Sequence, residues 1–134
     1  MKIIYKTETG ISIVHPTGEL SIEAVFEKDV PQEYKASALI VDDDFVFPDR
    51  SYRNAWDFVD GKVIEDITKA KEIHKDKLRA ERKPLLEAQD ILYMKALENN
   101  TDVVEIIKEK QRLRDITKEV DKVDTIENLK KVGI

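Results

Sequence analysis

Between Asp66 and Asn99 the chain runs without a glycine, carries one proline (Pro84), and mixes leucines densely with charges. Read as an α-helix from Ile67 onward, this stretch spans about 50 Å at ~1.5 Å per residue, longer than a small globular domain needs. Asp66 suits the start, because its carboxylate can accept exposed amide hydrogens of the first turn. Apolar positions recur at Ile67, Ala70, Leu78, Leu85, Ala88 and Leu92, and the steps of seven from Leu78 to Leu85 to Leu92 mark a seam. A proline inside a helix costs ~3 kcal/mol, so at Pro84 the helix either kinks or gives way to a second helix. Lys83 is a poor cap, which favours the kink.

Asn99-Asn100-Thr101-Asp102 forms the next break, and Asp102 with Glu105 has capping-box spacing. The helix that follows, Val103 to about Lys118, carries Val103, Ile106, Ile107, Leu113 and Ile116. Two amphipathic helices joined by so short a loop fold back as an αα-hairpin. Asp124 and Glu127 repeat the cap pattern before a last short helix with Ile126, Leu129 and Val132. On the long helix, Leu86, Ile91, Met94 and Leu97 fall outside the seam and form a second apolar strip. It is either the packing face for the returning helix or an oligomer contact.

Upstream the composition changes. Eight of the nine aromatics precede residue 60, and only Tyr93 follows. Lys2–Lys6 and Ile11–His15 are short β-branched runs around a glycine-containing loop, which reads as a hairpin. Ser21 suits the cap of a short helix bearing Ile22, Val25 and Phe26, and a strand is expected at Ser37–Val41. A second hairpin joins Asn54–Val59 to Lys62–Glu65 through Asp60-Gly61, a pair suited to the positive φ angles of a type I′ turn. It pairs Val59 with Lys62, Phe58 with Val63, and Trp56 with Glu65. The expected fold class is therefore α+β: a small β-rich aromatic unit over residues 1–65, with two hairpins and a short helix, then a helical hairpin with a short C-terminal helix over 66–134.

The 134 residues carry net charge −5, distributed as 14 acids and 7 bases over residues 1–66 and 14 acids and 16 bases over residues 67–134. No concentrated basic surface results, and nucleic acid is not an expected partner. The densest basic run, Lys69 to Lys83, also holds Glu72, Asp76 and Glu81 and reads as a solvated helix face. With no cysteine, thiolate sites and disulfides are excluded. No membrane span or signal-peptide core is visible, so the expected location is the cytosol.

Chemistry-bearing patterns are few. Asp42-Asp43-Asp44 lacks the spaced ligands and glycine of a calcium loop. His15 and His74 have no second ligand or base partner in sequence, and no serine sits in a nucleophile elbow. No glycine-rich phosphate loop is present. The expectation is a protein without catalytic, cofactor-binding or metal-binding residues. Interface-type residues do occur: Tyr52, Arg53 and Trp56 cluster in the first half, and Leu86, Ile91, Met94 and Leu97 line the helix. These seven are the candidate partner-binding residues.

The passage from Ile40 through Asp42-Asp43-Asp44, then Asp49-Arg50-Ser51-Tyr52-Arg53-Asn54-Ala55-Trp56 and Asp66 to Ile73, resembles small proteins encoded near bacteriophage tail and tail-fibre genes. Arg79-Ala80-Glu81-Arg82-Lys83-Pro84-Leu85-Leu86-Glu87-Ala88-Gln89-Asp90, followed by Arg112-Leu113-Arg114-Asp115-Ile116-Thr117, is similar to the phage tail assembly chaperone family. The resemblance implies a non-enzymatic assembly chaperone that holds a tail or tail-fibre protein in the host cytoplasm and then leaves. The alternative it implies is a minor structural component that stays in the virion as a homo-oligomer.

Overall fold

The computed structural model describes residues 1–134 and has an α+β fold, divided into two compact units, Met1–Asp66 and Ile67–Ile134. In the first unit, β1 (Lys2–Thr7) and β2 (Gly10–Val14) form the N-terminal hairpin, with Thr7 opposite Gly10. The third strand, β3, is only Leu39–Val41, and it pairs antiparallel with β1, giving the order β2-β1-β3. Between them lie α1 (Ile22–Asp29) and a 3₁₀ stretch, Gln32–Ser37. Ser21 caps α1, its hydroxyl accepting from the Ala24 amide at 3.2 Å.

Adjacent residues of a strand face opposite sides of a sheet, and β1 uses both. Ile3 packs with Val25 and Val30, flanked by Tyr5 and Tyr34, whose rings stack 5.5 Å apart. Ile4 packs on the other side with Ile11, Trp56 and Val63. The second hairpin, β4 (Trp56–Val59) and β5 (Lys62–Glu65), supplies that second cover. Its register is Trp56 with Glu65, Phe58 with Val63 and Val59 with Lys62. Asp60 and Gly61 turn with φ of 52° and 75°, the left-handed values a type I′ turn requires. Asn54 and Ala55, expected in β4, instead end a 3₁₀ segment, Arg50–Ala55, whose start is capped by the Asp49 carboxylate.

In the second unit, α2 is one uninterrupted helix, Ile67–Glu98, that passes through Pro84. A second helix starting at Pro84 is thereby excluded. The helix ends in a Schellman turn: the Thr101 amide donates to the Ala96 carbonyl, the Asn100 amide to the Leu97 carbonyl, and Asn100 takes φ 54°. α3 (Val104–Asp121) returns along α2, and α4 (Ile126–Lys131) packs on α2 as well. Two caps are displaced from their expected places. Asp102 accepts from the Val104 amide at 3.0 Å while Val103 occupies the cap position, and Thr125, not Asp124, caps α4 by accepting from Asn128.

The seam also differs from the expected one. Leu78 is buried, as are Ala70, His74 and Ala96, but Leu85 and Leu92 are 42% and 47% exposed. α3 covers the adjacent flank instead, where Arg82, Leu86, Gln89 and Tyr93 are half-buried. That flank is fixed by polar contacts between the helices. Lys75 meets Asp121 at 2.7 Å, Arg82 donates to the Arg114 carbonyl at 2.9 Å, and Lys110 meets Asp90 at 2.6 Å while lying over the Tyr93 ring. Leu113, Ile116, Val120 and Leu129 are the buried apolar residues of α3 and α4. No helix is long and apolar enough to cross a membrane.

Candidate partner-binding surface

The candidate residues fall into two sets with opposite environments. Trp56 is only 2% exposed. It belongs to the core with Ile4, Ile11 and Val63, and the Phe47 ring stacks on it at 5.5 Å. Tyr52 is buried too. Neither presents a side chain to a partner, which corrects the sequence-based assignment: Trp56 is spent on filling the core beneath the three-stranded sheet, and Tyr52 is closed off from solvent. Arg53 is half-buried, with its guanidinium 4.4 Å from the centre of the Trp56 ring and donating to the Ile11 carbonyl. Partial burial, with Arg50 nearby, draws its pKa below the ordinary arginine value. A polar cleft beside it is lined by Thr7, Thr9, Ser12 and Asn54. Arg53 is thus a strut between β2 and Trp56, worth about 0.5–2 kcal/mol as a cation–π contact.

The helical set is arranged differently. Leu86 is half-buried on the α3-facing flank. Ile91, Met94 and Leu97 are 57%, 59% and 50% exposed. They stand on the last two turns of α2, and the short connection to α3 brings Val104 and Ile107, also about half exposed, to the same end of the hairpin. Neither Val104 nor Ile107 is among the seven candidates, although Ile107 is one of the apolar residues expected on α3. The spacing that could have revealed them is their offset from Leu113 and Ile116, which define the buried side.

Acids surround this end. Over residues 84–107 there are five (Glu87, Asp90, Glu98, Asp102, Glu105); Asp90 pairs with Lys110 at 2.6 Å and Glu105 with Lys108 at 3.3 Å, which leaves Glu87, Glu98 and Asp102 against Lys95, a net of −2. Exposed apolar side chains in such numbers are usual on interaction surfaces, and the acidic border favours a partner segment carrying positive charge. Nowhere do three or more His, Cys, Asp or Glu side chains come together as a metal site would need. Asp43 of the acidic turn instead meets the Met1 amino group at 2.9 Å, which holds its carboxyl below the ordinary range. Comparison with protein-family models, with curated proteins and with solved structures found no match to this chain.

Proposed function

We propose that this chain is a non-enzymatic, phage tail-associated protein that binds a tail or tail-fibre protein and acts as its assembly chaperone. One observation carries the reading: Ile91, Met94 and Leu97 stand exposed at the end of a helical hairpin whose own packing does not use them. The resemblance of residues 40–118 to the tail assembly chaperone family supports the choice of partner. A holding protein needs an apolar surface that is accessible yet soluble, and an acid-rimmed hairpin end meets both demands. The partner segment it suits is apolar with basic residues. Co-expression with tail and tail-fibre proteins of the same phage tests the reading. Capture of one of them in soluble form, together with absence of this chain from purified particles by mass spectrometry, is expected. Stoichiometric presence in the particle would make it a structural component, and failure to capture any of them would remove the reading.

A further inference from the structure

One apolar stripe of α2 lies outside the α3 flank and borders the exposed hairpin end only at Ile91. α4 meets the N-terminal half of α2, where His74 reaches the Val132 carbonyl at 2.6 Å, but α4 has only 6 residues. Farther along, Leu85, Ala88 and Leu92 remain exposed, on the side of α2 that a longer third helix would cover.

The order of residues along this stripe is self-complementary. Take Ala88 as a centre: Glu81 stands 7 positions before it and Lys95 stands 7 after it. Leu85 and Ile91 stand 3 positions to either side, and Pro84 and Leu92 stand 4 to either side. Steps of three, four and seven keep residues on one helix face. If a second α2 crosses antiparallel about a two-fold axis at Ala88, each residue meets the one at the same distance on the other side. Leu85 then faces Ile91, Leu92 faces Pro84, and Glu81 faces Lys95, at both ends. The small Ala88 side chain sits where the two backbones approach most closely. A parallel pairing would set Glu81 against Glu81 and Lys95 against Lys95.

Both charges are available for such a pairing. Lys95 is exposed and enters none of the ion pairs within the hairpin, and Glu81 has only Lys77 at 3.9 Å. We infer that two copies of this chain associate through the Glu81–Lys95 face of α2, antiparallel and two-fold about Ala88, with the two αα-hairpins forming a four-helix bundle. The overlap runs from Leu78 to Glu98 on both copies, about 30 Å of helix at ~1.5 Å per residue. Met94 and Leu97 lie outside this face, and Ile91 alone borders both surfaces, so a dimer formed here leaves Met94 and Leu97 open to a tail protein.

The chain has no cysteine, which makes the geometry directly testable. Ala88→Cys introduces one thiol per copy on the proposed axis. Under mild oxidation the full-length variant should convert to a disulfide-linked dimer, whereas Met94→Cys should not. By light scattering on a sizing column, Glu81→Lys and Lys95→Glu should each weaken the dimer at least tenfold, and the combined exchange should restore it. Circular dichroism confirms that each variant is folded. A monomer at all accessible concentrations would overturn the proposal. So would a dimer that ignores both charge reversals, or one that crosslinks through residue 94 and not 88.

Discussion

The Lys75 ammonium on α2 lies 2.7 Å from the Asp121 carboxylate at the C-terminal end of α3, tying the far end of the returning helix to the start of the long one. The hydrogen bond to Asp121 raises the Lys75 pKa, and the hydrogen bond from Lys75 lowers that of Asp121, in each case against an opposing desolvation effect. Asp115, bonded by Gln111 and Lys118, and Glu109, bonded by Arg112, are lowered as well.

The sign of the pH dependence follows. A carboxylate with a depressed folded pKa contributes stability above its unfolded value and loses it as pH falls through the folded one. For Asp121 that loss lies below the ordinary 3.8, and for Lys75 the loss lies above the ordinary 10.5. Asp121→Asn should therefore melt below wild type at neutral pH, and the gap should close as pH falls below the ordinary carboxylate value of 3.8. A gap that persists unchanged in acid would show that the charge plays no part.

Pro84 breaks the hydrogen-bond ladder of α2 without ending the helix, since it offers no amide to the Ala80 carbonyl. Pro84→Ala should stabilise the chain by up to about 3 kcal/mol in urea unfolding, the usual penalty of a proline in a helix interior. A loss of stability would mean that the chain is bent at Pro84 in a way its packing requires.

Leu78 and Leu85 share a heptad stripe but not an environment, 1% against 42% exposed. Leu78→Ala should cost about 2–5 kcal/mol, while Leu85→Ala, measured in dilute monomer, should cost under about 1 kcal/mol. Equal costs would contradict the packing described for α2.

Local chemistry made much of this fold legible. The Asp60-Gly61 turn dictates which residues of β4 and β5 face each other, so the pairs Phe58–Val63 and Trp56–Glu65 followed from position alone. Ser21 had cap chemistry beside an apolar i, i+3, i+4 pattern. The misses have a common origin in long-range packing. That β3 joins the β1 edge depends on residues nearly forty positions away, and a six-residue 3₁₀ stretch such as Gln32–Ser37 has no periodicity to announce it. Heptad spacing shows which residues share a face of α2, but not that α4 is too short to cover Leu85 and Leu92. For the candidate surface the same holds. Residue type could not separate Trp56, which fills the core, from Met94, which stands in solvent.

Binding of a partner protein by the end of the αα-hairpin can be checked by a single co-purification. Met94→Glu with Leu97→Glu places two charges on that end, away from the Glu81–Lys95 face, where burying them unpaired would cost several kcal/mol. Co-expressed with the proposed tail or tail-fibre partner, wild type should hold that protein in solution, and the double variant, folded by circular dichroism, should leave it insoluble and uncaptured. Capture at the wild-type level by the folded variant would contradict the account.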